Sequence, residues 1–438
     1  MLLMQKVKRY IATLIDKHDN RLVTKSLIML VMKFLIMVFW NLCIVCGVLA
    51  VGCSTDIEPQ LEQTANGDTR YFSMPEHNLE RVSSDRQDFY VQTVLEGQNV
   101  LNVPWAMAFL PDDRILITER SGAIYIVEEG ELRTEALRNT PEVHAHGQGG
   151  MLDIALHPDF EENGWIYITY SRPSEEGGSN TALARMHLDG YEFTDFELLF
   201  AGTPALNTRH HFGSRIAFDD DNHLHFSIGD RGVMDSAQDL SSHAGVVLRL
   251  HDDGSVPADN PFVDPANLPE GQTEARPEIY AYGSRNIQGM QIHPETREIW
   301  SHEHGPRGGD EINIIRDGLN YGWPEITHGI NYDGSEITPD TARAGMEQPL
   351  LHWTPSIAPS GMAFVTGDRY PGWTTSLMVG TLAPRYLHRV ELDGEQVVAQ
   401  EELLPGIGRV RDVRLAPDGY LYVATENPGV IYRLIPAD

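Results

Sequence analysis

Along most of the chain a short apolar run leads into a turn rich in Pro, Asp and Gly, and a second apolar run follows. That is the pattern of paired strands, and helical periodicity is nearly absent. Residues 105–120 (WAMAFLPDDRILITER) give the first copy; 152–171, 215–230, 289–305, 361–382 and 413–427 repeat it, making six. The turn prolines of the first and last copies, Pro111 and Pro417, set a mean spacing of about 61 residues, room for four strands and variable loops per unit. Radial repetition of such sheets leaves only short, protected edges. The pattern therefore predicts an all-β chain folded as a six-bladed β-propeller of four-stranded antiparallel blades. The segment DFYVQTVLEG (88–97), ahead of the first copy, is expected to close the ring by pairing with the last blade.

The theme is missing from the first 86 residues. Residues 54–86 are polar and aperiodic, and read as a flexible tether. Residues 1–53 carry seven Lys or Arg and then an apolar run ending in AVGC at Cys53, which marks an export segment rather than part of the fold. Met32 and Lys33 ahead of that run suggest a start at Met32. AVGC resembles a bacterial lipoprotein box with lipid on Cys53, although Ala50 stands where such boxes usually carry Leu. An uncleaved membrane anchor is the alternative, since the run is long enough to span a bilayer. Both readings export residues 87–438 to the periplasm or cell surface, with membrane contact only through the N-terminus.

All three cysteines (43, 46 and 53) lie in that segment, so the exported domain has neither disulfides nor thiol chemistry. After Cys53 stand 61 acidic and 26 basic residues, a formal charge of −35, and every basic residue there is arginine. Such a surface repels nucleic acid and anionic membranes and suits salty water, where screening softens self-repulsion.

Polar clusters stand at the ends of the repeats: HGQGG (146–150), RHHFGSR (209–215), GDRG (229–232), YGSRNIQGM (282–290), HEHGPRGGDEIN (302–313), NYGWP (320–324) and RVRDV (409–413). In a propeller they can meet at one end of the ring. Gathering Arg215, Arg285, Arg409 and Arg411 is costly without an anion among them, so the clusters predict an anion site. Taken singly, such arginines are more often surface partners of Asp or Glu. His157 and His293, in HP turns, read as structural. His302 and His304 would share a strand face, without the helical spacing of zinc proteases. His210 and His211, adjacent in an extended segment, would point opposite ways, so one at most faces the pocket.

Together these clusters resemble the soluble glucose/sorbosone dehydrogenase family, and most closely its aldose sugar dehydrogenase branch: six-bladed propellers that oxidise sugars with pyrroloquinoline quinone (PQQ) and calcium. The similarity runs from about residue 90 to the C-terminus. It implies that His211 is the catalytic base, four residues before Arg215, and that Asp230 binds its other ring nitrogen. Arg285 and Asn286 would donate to the quinone oxygen that gains charge. Gln148, Arg215, Arg409 and Arg411 would hold the carboxylates and polar edges of PQQ. The carbonyls of Gly305 and Pro306 would bind the PQQ-associated calcium; Glu311 and the Tyr321 carbonyl, with Asn331 or Asp333, a second one. An aldose is then the substrate, a lactone the product and an external electron acceptor the partner.

The chain departs from the family pattern at two lysines, replaced here by Ala383 and Val246. The first loss removes a cofactor contact unless Arg385, two residues on, reaches in. A calcium-dependent lactonase and a non-catalytic binding propeller are the alternatives; joint retention of His211, Asp230, Arg285 and Asn286 argues against the second. Sugar specificity is expected in loops 171–180 and 331–347.

Overall fold

A computed structural model describes residues 70–75 and 79–437. Their strands form six antiparallel sheets, five of four strands and one of five. The first strand of each blade lines the centre: Pro104–Phe109, Met151–Leu156, Ile216–Phe218, Ile287–Ile292, Pro359–Phe364 and Arg409–Leu415. Each of these neighbours the next around the ring, and the sixth returns to the first. The six-bladed propeller expected from the repeats is thus the observed fold.

Strands in the middle of a blade are sandwiched between neighbouring blades, so both their faces are apolar and runs such as Ile115–Glu119 and Leu224–Ile228 are buried throughout. Outermost strands, such as Gln396–Leu403, face solvent and keep few buried positions. The core is correspondingly six clusters, one per blade junction. Leu116 and Ile126 meet Ile154 and Ile168 between the first two blades, and Ile115 and Ile117 meet Tyr422 and Ala424 between the last and first.

Strand Phe89–Glu96 pairs antiparallel with Val430–Pro436 and closes the ring, as expected for 88–97. The expected tether boundary at residue 86 needs correction. Arg81–Val82 adds a further strand to the same sheet. Tyr71 and Phe72 are buried and pack on Tyr422, while Arg433 donates to the carbonyls of Phe72 and Ser73. Two aromatics in a polar stretch carry no periodicity, which hid this contact. The export segment and the rest of the tether lie outside the described residues; among the described ones no helix is long and apolar enough to cross a membrane.

Candidate active site

The predicted clusters sit at one end of the ring, where innermost strands begin and second strands end. Segment 207–215 has no strand or helix, and His211 (φ 53°), Gly213 (φ 64°) and Ser214 (φ 107°) all adopt left-handed backbone. That turn brings His211 against Gly229, where a Cβ would lie 2.5 Å from the His211 carbonyl oxygen, so GDRG must open on glycine. The His211 N–H donates to Gln148 Oε1 (2.7 Å), and its Nδ1 lies 2.5 Å from Asp230 Oδ1. Asp230, fully buried, also accepts from Gly232 N (2.7 Å) and Trp323 Nε1 (2.8 Å).

Electrostatics divide these two groups. Burial alone would raise the Asp230 carboxyl, but hydrogen bonds and charge from His211, with help from Gly232 and Arg285, bring it below the usual range. Burial, aided by Arg285, lowers the His211 imidazolium pKa against the opposing pull of Asp230. An ionised Asp230 facing a neutral imidazole fixes the proton on Nδ1 and leaves the Nε2 lone pair available, the state of a general base. His210 is exposed, its ring turned aside with centroids 5.9 Å apart.

Beside His211 opens a cavity of about 300 Å³ lined by Trp105, Arg120, Gln148, Phe212, Asn286, Gln288, His304, Arg409, Arg411 and Glu426, among others. Arg409 and Arg411 hold opposite oxygens of Glu426 (2.7 and 2.8 Å), a carboxylate that burial would raise but the two arginines lower. Three guanidiniums face a single carboxylate here, in a chain of formal charge −30. Such a cavity favours an anion.

Arg285 Nη1 donates to the carbonyls of His304 (2.8 Å) and Gly305 (3.1 Å), and its guanidinium lies 5.3 Å from the Trp323 ring. The backbone N–H groups of Arg285 and Asn286 both donate to the buried carboxylate of Glu303. Asn286 Oδ1 accepts from Gly213 N (3.2 Å), which ties the fourth blade to the His211 loop. Asp310 accepts from Gly305 N, Ser356 Oγ, Ile357 N and Ala358 N, and so shapes the Gly305–Pro306 turn. A Cβ on Gly305 would meet the Gly308 oxygen at 2.2 Å.

Arg215 and Arg385, two of the predicted cofactor residues, are absent from the lining of the cavity beside His211. Arg215 is buried inside the central channel, its Nη1 at 3.2 and 3.0 Å from Asp153 and Asp412, its Nε on the Gln288 carbonyl and its guanidinium 4.2 Å from the Trp105 ring. Arg414 completes the network on the same two acids (2.6 and 2.9 Å). Arg215 therefore pairs with this chain's own carboxylates. Arg385 is exposed, with left-handed φ of 64°, and makes no side-chain hydrogen bond or ion pair among the described residues.

Among the described residues no three His, Cys, Asp or Glu side chains converge as a metal cage. The calcium ligands implied by the sequence are mostly backbone carbonyls, and those of Pro306 and Tyr321 accept no hydrogen bond from described residues. Glu311, half-buried, stands directly opposite the buried Glu303 on adjacent strands. Burial raises both carboxyls, and Glu303 pushes Glu311 higher still. Unused carbonyls and an acid pair whose carboxyls are both raised are oxygen donors of the kind a hard cation takes. Glu303, Asp310, Trp323, Glu426 and Arg120 were not assigned roles from sequence; each acts across strands or blades, a relation that spacing does not encode.

The sequence model of the family described as Glucose / Sorbosone dehydrogenase matches residues 101–433. Aldose sugar dehydrogenase YliI of Escherichia coli is 42% identical over 346 residues, 77% of this chain and 91% of its own length. The crystal structure of the soluble aldose sugar dehydrogenase of Escherichia coli in its apo-form superposes with a TM-score of 0.73 at 38% identity, over 80% of this chain and all of that one. The PQQ-bound form of an aldose sugar dehydrogenase from Streptomyces coelicolor gives 0.63 at 28% identity, covering 80% and 98%.

Proposed function

Because the chain belongs to the glucose/sorbosone dehydrogenase family, we propose that it is an oxidoreductase converting the anomeric carbon of aldose sugars to lactones with PQQ and calcium, passing the electrons to an external acceptor. The observation that carries this reading is the His211–Asp230 pair set beside an arginine-lined cavity. Its walls suit a flat polyanion: Arg409 and Arg411 to meet carboxylates, Gln148 and Asn286 to meet polar edges, Trp105 and Phe212 as apolar surfaces. Calcium would sit on the carbonyls of Gly305 and Pro306, and a second ion on Glu311 and the Tyr321 carbonyl.

In this reading His211 Nε2 takes the proton of the anomeric hydroxyl, and Asp230 stabilises the imidazolium that forms. As the C=O bond of the lactone forms, the anomeric hydrogen leaves with both electrons of its C–H bond. Bound PQQ supplies the carbonyl carbon that accepts this hydride. Arg285 and Asn286, fixed by Glu303 behind them, direct donors to where negative charge grows. The N-terminal reading adds export and lipid attachment at Cys53, which a Cys53→Ser chain would lose in a labelled-palmitate assay.

The deciding experiment adds PQQ and calcium to the purified protein and follows dye reduction with a panel of aldoses. Turnover that needs both additions is expected. No activity together with no change in PQQ absorbance would remove the assignment.

A further inference from the structure

Left-handed backbone at a residue with a Cβ costs on the order of 1–3 kcal/mol and persists only where surrounding contacts impose it. His211 is such a residue, in a segment without strand or helix hydrogen bonding. Two of its supports are already described: Gln148 on its N–H and Asp230 on its ring. The third is Arg231, next to Asp230 and only 2% exposed. Its Nε donates to the His210 carbonyl (3.0 Å), Nη1 to the Ser179 carbonyl (3.1 Å) and Nη2 to the Thr208 carbonyl (3.2 Å) and hydroxyl (3.4 Å). The guanidinium lies 3.6 Å from the centre of the Phe212 ring. Arg231 thus holds the loop before and after His211.

Among the described residues Arg231 has no carboxylate salt bridge, and burial lowers its pKa to about 10. A buried guanidinium without such a partner is costly, and surface residues could cap three carbonyls more cheaply. What this one does that others could not is fix the peptide entering His211 from the same dipeptide whose acid fixes its ring. We propose that Arg231 is a positioning residue for the base: it holds the His210–His211 peptide so that Nδ1 meets Asp230 and Nε2 faces the substrate. Its link to Ser179, first residue of strand Ser179–Asp189, anchors the guanidinium on the neighbouring blade. The proposal rests on His211 being the base, and its test separates the two.

Arg231→Met keeps bulk and removes the donors, while Arg231→Lys keeps charge and part of the bonding. The first readout is the low-field proton resonance of His211 Nδ1–H in the cofactor-free protein, assigned by its loss in His211→Gln. The second is steady-state kinetics after loading with PQQ and calcium, with PQQ affinity measured by absorbance titration. Arg231→Met is expected to lose or broaden the resonance and to lower kcat about 100-fold, the scale of a 1 Å misplacement. KM and PQQ affinity should stay within about twofold, because Arg231 lines no part of the cavity. Arg231→Lys should recover part of both signals. Wild-type kcat with an intact resonance in Arg231→Met would overturn the proposal, and so would losses of kcat and PQQ affinity in parallel, which mark a general structural role. Should Arg231→Met fail to melt cooperatively, Arg231→Lys decides by the same readouts, unchanged values sinking the idea. Should wild-type protein show no turnover with any aldose, the functional reading fails while the resonance still tests the geometry.

Discussion

His211 and Asp230 invite the sharpest tests at the scale of single residues. His211→Gln should abolish turnover yet leave PQQ bound in an absorbance titration, whereas His210→Gln should change kcat little, since only the His210 carbonyl is used. Burial holds the His211 pKa below the ordinary histidine value, and the base must be neutral to act. kcat/KM should therefore rise with pH through an acid limb whose midpoint lies below the ordinary histidine value of about 6.5. Asp230→Asn removes the group that opposes this depression, so the limb should move further down while kcat falls by about 100-fold or more. Arg215→Met should act elsewhere. By leaving Asp153 and Asp412 short of a buried partner it should cost roughly 3–5 kcal/mol in denaturant unfolding. The sequence shows His211, Asp230, Arg285 and Asn286 plainly because they stand in dense motifs. It does not show the acidic partners of Arg215, which are 62 and 197 positions away and cannot be seen from RHHFGSR.

At the scale of elements, apolar–turn–apolar repetition is a strong signal because blade interiors bury both faces of a strand, and six copies leave little choice of architecture. Each junction should behave as a packed core of its own: Ile168→Ala, fully buried between the first two blades, should cost about 2–5 kcal/mol by denaturant midpoint. What the pattern hides is the return of a few residues from a polar segment. A chain starting at residue 70 keeps Tyr71, Phe72 and strand Arg81–Val82. One starting at 87 loses Tyr71, Phe72 and strand Arg81–Val82, and should melt several degrees lower. Equal melting of the two would show that these contacts contribute nothing.

For the whole molecule, charge is the dominant long-range quantity. Surface ion pairs weaken as salt rises, but acids outnumber arginines by 61 to 26 after Cys53, so relief of repulsion should outweigh that loss. The melting temperature should increase between about 0.01 and 1 M NaCl, over which the screening length shrinks from about 30 to 3 Å. A flat or falling profile would remove the saline reading. The buried Asp153–Arg215–Asp412–Arg414 cluster also works at this scale, because it joins residues of the second, third and sixth blades across the channel axis. A second cavity, lined by Phe109, Leu156, Ile292, Phe364 and Arg414, lies at the other end of that axis and shares no lining residue with the one beside His211. The cluster stands between the two cavities: Arg414 lines the far one, and Arg215 packs on Trp105 of the near one. In the proposed reaction PQQ would fill the near cavity with the sugar at its mouth beside His211, so saturating aldose should slow PQQ loading in an order-of-addition experiment.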